Sequence, residues 1–154
     1  MINVIFLVYN LILGLNMRLL LIHAKKFWWK IREPAKISFR DEVEVDEVEV
    51  KDVLVSFTCV EKSDEVNIED SVSRAVEAIV EVASRIGVKK IVVYPYAHLS
   101  KNLSKPEIAV KVIHGIETKL KEVGFEVYRS PFGYYKEFIL HCIGHPLAES
   151  LRVI

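Results

Sequence analysis

The chain has 154 residues, of which 51% are hydrophobic and 27% are charged, the balance of a single globular domain with its own core. This composition excludes an intrinsically disordered or collagen-like chain. Because 21 lysines and arginines offset 21 aspartates and glutamates, any nucleic-acid binding has to come from a local basic surface and not from net charge.

The first 16 residues are uncharged and strongly apolar, as in a signal peptide or membrane anchor. A secretory signal has a basic segment before its apolar run, and a membrane-spanning helix needs about 20 apolar residues. This segment lacks the basic start, and Asn3, Asn10 and Gly14 interrupt it. We therefore predict no membrane anchor. We expect an apolar extension over residues 1–16, packed on the domain or at a dimer interface, and one domain over residues 17–154.

Apolar runs and alternating patterns predict the strands. Met17–His23 is typical of a buried first strand. An acidic, alternating stretch over residues 43–50, with a bulge or tight turn at Asp46–Glu47, predicts a second strand, and Asp52–Val60 a third. Three later strands are predicted at Lys90–Tyr94, Phe125–Tyr128 and Phe138–Ile143.

Two helices are predicted from apolar residues spaced three and four apart. The first begins near Asn67 and ends at Gly87. The second covers Pro106–Val123, with Gly124 placed to end it. The element order predicts one α/β or α+β domain with a mixed sheet and two main helices.

The chain lacks the motifs of nucleoside-triphosphate-binding proteins, serine hydrolases and zinc hydrolases. Its two cysteines, Cys59 and Cys142, lie in apolar runs without CxxC spacing, so we predict buried thiols in a reducing cytosol and neither metal nor cofactor. Polar and aromatic residues concentrate instead at two strand ends, over residues 94–101 and 130–136. Loops beyond strand ends carry ligand sites in α/β sheets, so we expect these two loops to form the walls of one pocket.

These residues also have plain structural explanations. A histidine such as His98 after a strand is more often a hydrogen-bonded scaffold residue than a catalyst, and residues 131–133 can simply shape a turn. Glu149 is equally well explained as a solvated acid in the first turn of a helix. Lys136 is harder to explain in this way, because a lysine among aromatic residues must either reach the surface or serve a site.

A second candidate is the basic and aromatic cluster Lys25–Arg32. Cationic side chains meet phosphates and rings stack on unpaired bases, which favours nucleic-acid binding. A core or interface segment explains the cluster equally well. Further basic residues accompany the two pocket loops, where an RNA end would have to enter: Lys101, Lys105, Arg129 and Lys136.

Two strings of residues point to a known family: Tyr-Pro-Tyr-Ala-His-Leu-Ser over residues 94–100 and Pro-Phe-Gly-Tyr-Tyr-Lys over residues 131–136. Together with Met17–His23, residues 53–62 and Gly144–Glu149, they resemble the N-terminal editing domain of archaeal threonyl-tRNA synthetases. The fold of that domain is similar to that of D-aminoacyl-tRNA deacylases. The resemblance covers nearly everything from Met17 onward. Residues 25–47 depart from the pattern, and we expect them to lie away from the pocket.

The resemblance implies hydrolytic editing, in which a wrong amino acid, chiefly L-serine, is removed from the terminal adenosine of threonine tRNA. It also implies a trap for D-amino acids and favours a homodimer in the cytoplasm. The chain would act as a domain beside the catalytic portion of a threonine–tRNA ligase or as a freestanding trans-editing factor. Two alternatives stay open: a general D-aminoacyl-tRNA deacylase, and a non-catalytic tRNA-binding or dimerisation module.

The resemblance also implies roles for individual residues. Lys136 and Tyr135 would position the seryl group and the attacking water, and His98 and Glu149 would support the pocket and the terminal adenosine. The backbone of Pro95, Tyr96 and Ala97 would hold the α-amine, and Val60, Phe132 and Gly133 would line the walls.

Overall fold

A computed structural model describes residues 4–5 and 16–154, so the predicted extension over residues 1–16 lies almost wholly outside the described residues. Six strands form one mixed sheet in the order β4-β3-β2-β1-β5, with β6 also paired to β1. The strands are β1 Arg18–Pro34, β2 Glu47–Cys59, β3 Lys90–Pro95, β4 Glu126–Arg129, β5 Tyr134–Cys142 and β6 Glu149–Val153. The helices are α1 Ile68–Ile86 and α2 Pro106–Val123.

The two helices are the crossover connections of the parallel part of the sheet. β2, β3 and β4 run parallel, with α1 between the first two and α2 between the last two, as parallel neighbours require. All pairings of β1 are antiparallel, and β5 and β6 pair with successive stretches of it. The prediction of a single domain with a mixed sheet and two main helices is confirmed.

Both helices begin and end where their terminal residues indicate. The Asn67 side chain accepts a hydrogen bond from the Asp70 backbone N–H at 3.0 Å, which caps α1. Gly87 ends the same helix in the left-handed conformation, at φ 76°. Pro106 occupies the first turn of α2, where its missing N–H costs nothing, and Gly124 ends that helix.

Strand β1 is longer than the sequence predicted, and it absorbs the basic and aromatic cluster Lys25–Arg32. Phe27 and Trp29 are 0% and 1% exposed, so these rings belong to the core and do not form a stacking platform for bases. Lys26 pairs with Glu49 at 3.7 Å, and Arg32 pairs with Glu137. The cluster Lys25–Arg32 is therefore mainly part of a core strand, and carboxylates of the two neighbouring strands pair with the charges of Lys26 and Arg32.

Two of the predicted strands merge into one, because residues 47–50 of the stretch over residues 43–50 and residues 52–59 of the predicted Asp52–Val60 both belong to β2. Residues 43–46 precede the strand. Of the bulge or tight turn predicted at Asp46–Glu47, the bulge is wrong, and Asp46 lies in a bend just before the strand. β2 begins at Glu47. The alternation of its side chains between the two faces of the sheet shifts by one residue at Asp52, which has a φ of 49°. Asp52 lies opposite Lys25 in β1, and the register between the two strands is the same on both sides of this point. Because the alternation of side chains shifts at the same point in both strands, Val50 and Val53 pack on the same face although they are three residues apart.

The sheet has a core on each face. One lies between the sheet and the two helices. The other, on the helix-free face, is rich in aromatic rings, with Phe27 5.9 Å from Phe57 and 5.6 Å from Tyr94 between ring centroids. Within the described residues, no helix is long and apolar enough to cross a membrane.

Candidate functional site

A cavity of about 490 Å³ opens at the carboxyl ends of β2 and β3. Both loops singled out in the sequence line it, as do residues 58–60 at the end of β2. All the predicted site residues except Glu149 lie in its wall: Val60, Pro95, Tyr96, Ala97, His98, Phe132, Gly133, Tyr135 and Lys136. The parallel arrangement of β2 and β3 places their ends side by side, which is why these distant residues meet.

Lys136 projects into this cavity from β5. Its Nζ donates hydrogen bonds to Ser130 Oγ at 2.9 Å and to the Pro131 carbonyl at 2.5 Å. The same nitrogen lies 4.6 Å from the centroid of the Tyr94 ring, in the range of a cation–π contact. Burial lowers the pKa of Lys136 to about 7, an effect that the charge of Asp41 opposes. The group therefore exchanges its proton near neutral pH, as active-site lysines do.

The end of β3 presents the second wall. The Tyr96 backbone N–H donates to the Thr58 carbonyl at 2.9 Å, so the chain continues beside β2 after the strand ends. A short 3-10 turn, Ala97–Leu99, then carries His98. The His98 ring packs edge-on against Tyr96, with centroids 5.1 Å apart.

An ion pair between the half-buried Arg18 and the buried Glu61 anchors this turn. Arg18 Nη1 donates to the Leu99 carbonyl at 2.8 Å, and Arg18 Nε lies 3.2 Å from Glu61, whose side chain is fully buried. Burial raises the pKa of Glu61. The turn that carries His98 is therefore fixed to β1.

Residues 35–41 form a third wall, contrary to the expectation that residues 25–47 lie away from the pocket. Ala35 and Ile37 line the cavity. The Ala35 N–H donates to the Gly133 carbonyl at 2.9 Å, and the Asp41 N–H donates to the Phe132 carbonyl at 3.0 Å. This wall could not be predicted from the sequence, because the segment has neither periodicity nor a motif.

Gly133 makes this contact possible. Its φ is 92°, and a Cβ atom there would lie 2.6 Å from Arg40 Cγ and 2.8 Å from the Phe39 carbonyl oxygen. Any side chain would therefore push residues 35–41 away from the pocket. Gly133, which the sequence explains as a turn residue and the resemblance as a wall residue, is therefore needed for the third wall.

Glu149 is placed elsewhere. It begins β6, pairs with Ile22 and is exposed, beside a small separate depression that also contains Arg85 and Arg152. Its interpretation as a first-turn helix acid is wrong, and the structure does not bring it together with Lys136 and His98. A strand of five residues in an irregular C-terminal segment was too short to predict.

The groups facing the cavity limit its chemistry. Burial and the charge of Glu61 raise the pKa of Cys59 to about 11, so this thiol stays protonated and is a poor nucleophile. Burial also raises the pKa of the Tyr94 hydroxyl. Within the described residues, no three histidine, cysteine, aspartate or glutamate side chains are grouped to hold a metal ion. The cavity offers an amine, an imidazole and phenol groups, which suit binding a polar substrate and stabilising negative charge on it.

Comparison with known proteins gives consistent results. A family model for the archaea-specific editing domain of threonyl-tRNA synthetase matches residues 17–154. The chain is 46% identical over 138 residues to the threonine–tRNA ligase of Methanopyrus kandleri and 48% identical over 143 residues to that of Thermococcus gammatolerans. Each match covers 90% of this chain and 22% of the relative, so the chain spans about a fifth of the length of these ligases.

A shorter relative and a solved structure extend the comparison. The chain is 43% identical over 138 residues to a threonine–tRNA ligase editing subunit of Saccharolobus solfataricus, covering 90% of this chain and 34% of the relative. A solved structure described as a probable eukaryotic D-amino acid tRNA deacylase superposes with a TM-score of 0.62 at 10% identity. That match covers 90% of this chain and 100% of the other, and it shows that the fold is shared.

Proposed function

The chain belongs to the archaea-specific editing domain family of threonyl-tRNA synthetase, and from this premise we propose that its pocket hydrolyses the ester bond of L-seryl-tRNA(Thr). The partner is the aminoacylated 3′ end of threonine tRNA in the cytoplasm. The observation that carries the proposal is Lys136, a buried amine held at the wall of a cavity with its proton exchanging near neutral pH.

The need for a second site follows from the similarity of the two amino acids. Serine lacks one methyl group of threonine, and one such group changes binding by only about 1–3 kcal/mol in a hydrophobic pocket. A site that accepts threonine therefore admits serine at a significant rate. A separate pocket that hydrolyses the smaller product corrects the error.

The ester of an aminoacyl-tRNA is already activated for hydrolysis. Its carbonyl lies beside a protonated α-amine, and its leaving oxygen lies beside a ribose hydroxyl, so water can attack without a covalent enzyme intermediate. The protein has to hold the ester, place the water and stabilise the negative charge on the carbonyl oxygen. In the proposed mechanism the Lys136 ammonium stabilises that oxygen. A protonated Cys59 is consistent with a mechanism that uses no protein nucleophile.

The remaining walls suit the rest of the substrate. Carbonyl groups at and just after the end of β3, those of Pro95, Tyr96 and Ala97, can accept hydrogen bonds from the α-amine. Tyr135, which is 60% exposed, lies at the mouth, where it can orient the attacking water. The aromatic surface of Tyr96 and the His98 imidazole can stack against the terminal adenine.

Assembly is part of the proposal. Leu151 and Val153 are 56% and 50% exposed, and Leu151 pairs in the sheet with Leu20, which packs against the core of the helix-free face. Phe138, at 39% exposure, lies on the same face in contact with Phe27. We propose that a second copy of the chain covers this face. The chain would serve the catalytic portion of a threonine–tRNA ligase in cis or in trans.

The test is single-turnover hydrolysis of L-seryl-tRNA(Thr) and L-threonyl-tRNA(Thr) by the purified chain. Faster hydrolysis of the seryl ester is expected, and equal rates would contradict proofreading of serine. A D-aminoacyl-tRNA assayed in parallel tests the second candidate, a general deacylase, which the shared deacylase fold favours. Binding of tRNA without turnover of any ester would instead support a non-catalytic module.

A further inference from the structure

We propose that Asp41 is a positioning residue of this pocket: its buried carboxylate and backbone fix the Ser130–Gly133 loop, whose oxygens hold the Lys136 side chain. The inference rests on the proposed function, because it assigns a further residue to the same reaction. Neither the motifs of the two pocket loops nor the resemblance drew attention to Asp41.

Asp41 is only 5% exposed although it lies outside all helices and strands. Its Oδ2 accepts hydrogen bonds from the Phe132 N–H at 2.9 Å and from the Arg129 guanidinium. Its Oδ1 lies 2.8 Å from His114 Nε2. The Asp41 carbonyl accepts from the Tyr134 hydroxyl at 2.8 Å, and its N–H donates to the Phe132 carbonyl. Removing a carboxylate from water costs free energy, and this cost is offset only when several hydrogen-bond or charged partners satisfy the group, as they do for Asp41.

These contacts bracket the loop that holds Lys136. Arg129 and Phe132, both bound to the Asp41 carboxylate, are the residues immediately before and after Ser130 and Pro131. Ser130 and Pro131 in turn provide the two oxygens that accept from Lys136 Nζ. The Ser130 N–H adds a bond to the Val93 carbonyl at 2.9 Å. Asp41 therefore determines where the acceptors of the lysine lie, although it is not itself among the residues that line the cavity.

Asp41 also acts through its charge. The Lys136 amine lies over the neutral Tyr94 ring and feels the charge of Asp41. The other titratable groups lining the same cavity are Cys59, Tyr96, His98, Tyr134 and Tyr135. Around the Asp41 carboxylate are Arg129 and His114, and Glu117 lies behind Arg129 at 2.9 Å from its Nε. The Asp41 charge raises the pKa of Lys136 against the lowering effect of burial. Loss of this charge should reduce the protonated fraction of Lys136 at pH 7.

The test compares Asp41→Asn with Glu117→Gln. Both substitutions remove one carboxylate from Arg129 and keep the size of the side chain, but only Asp41 also bonds to the loop. The pKa of Lys136 is measured by NMR in protein labelled with ¹³C-lysine, with the resonance assigned by its absence in Lys136→Met. We expect Asp41→Asn to lower this pKa by about one unit and Glu117→Gln to leave it nearly unchanged.

A second readout is the pH dependence of seryl-tRNA hydrolysis at subsaturating enzyme, after subtraction of the uncatalysed rate. The high-pH decline in activity should move to lower pH in Asp41→Asn by the same amount as the pKa. An unchanged pKa in folded Asp41→Asn, or equal shifts in both variants, would overturn the inference. The NMR experiment needs no substrate, so a wild-type chain that fails to hydrolyse seryl-tRNA defeats the proposed function and leaves this measurement interpretable.

A further variant keeps the test decisive where Asp41→Asn does not fold. Arg129→Gln retains a hydrogen-bond donor towards Asp41 and removes the cation that offsets its charge. The pKa of Lys136 should then rise. A fall or no change in this variant would contradict the role of the Asp41 charge.

Discussion

Lys136 carries its amine among aromatic rings, where water solvates a charge poorly and two oxygens, the Tyr94 ring and the charge of Asp41 compensate in part. An exposed lysine would keep its proton throughout the physiological range, whereas this one exchanges it near pH 7. The environment that lowers its pKa is also one in which an ammonium interacts strongly with a developing negative charge.

Lys136→Met should reduce hydrolysis of seryl-tRNA by about two to three orders of magnitude, the effect of losing one oxyanion donor. Methionine keeps the length and most of the apolar contacts but cannot donate a hydrogen bond. Single-turnover assays measure the rate, with Lys111→Met on the exposed side of α2 as a matched control. Near-normal hydrolysis by Lys136→Met would remove the lysine from the mechanism.

The same substitution should change how stability depends on pH. The pKa of Lys136 is about 7 in the folded chain, against 10.5 for an ordinary lysine such as that of the unfolded chain, so between these values the unfolded chain binds more protons at this residue. The parent therefore gains stability as pH rises through this window, and Lys136→Met lacks that gain. The Tm of the variant minus that of the parent should fall between pH 7 and pH 10. A constant difference would show that the lysine is solvated in the folded protein.

Single residues differ in how well the sequence reveals them. Lys136 stands out because a lysine among aromatic residues is chemically unusual, and the structure places it in the pocket. Asp41 could not be singled out, because it is one acid near many others over residues 41–52. Its partners Arg129 and Phe132 lie 88 and 91 residues away along the chain, and nothing local predicts such contacts.

Among the elements, β1 and β2 share one shift in the alternation of their side chains between the two faces of the sheet, where Lys25 lies opposite Asp52. Asp52 adopts a φ of 49°, in the left-handed region that aspartate tolerates better than most residues. Its Oδ1 also lies 2.9 Å from His23 Nε2 in β1. The backbone conformation and the side-chain contact both favour aspartate at this point.

Asp52→Val should destabilise the fold by about 1–3 kcal/mol, because a β-branched residue is strongly disfavoured at positive φ and cannot bond to His23. Asp52→Asn should cost less than about 0.5 kcal/mol, since asparagine adopts this conformation and keeps an acceptor. Urea unfolding of both variants measures the difference. Equal stability of the valine and asparagine variants would mean that the backbone relaxes at this position.

The helices were predictable from sequence and the long strands were not, for the same physical reason. A helix has its period, cap and terminal glycine within one segment, as α1 does between Asn67 and Gly87. The alternation of apolar and polar residues is interrupted at Lys25 in β1 and at Asp52 in β2, so the sequence predicts a separate segment on each side of the interruption. Only the constant register between the two strands shows that each is continuous.

At the scale of the whole molecule, an apolar surface remains on the helix-free face of the sheet near β5 and β6. We expect the purified chain to be a dimer by light scattering and Leu151→Lys to be a monomer, because a buried ammonium at the interface would be unpaired. Val123→Lys, at a similarly exposed valine at the end of α2, should leave the dimer intact. A monomeric parent, or dissociation by both variants, would contradict this choice of surface.

The pairing of β1 with the last two strands has a consequence for synthesis of the chain. His23 contacts His145 across 122 residues of sequence, and within residues 16–154 the second edge of β1 pairs with β5 and β6. During synthesis β1 is made before β5 and β6, so this edge of β1 stays unpaired until they follow. Folding dominated by such distant pairings is slow, and an open strand edge invites aggregation. The nascent domain is thus most vulnerable before β5 and β6 join the sheet, and until β5 is made the pocket lacks Lys136.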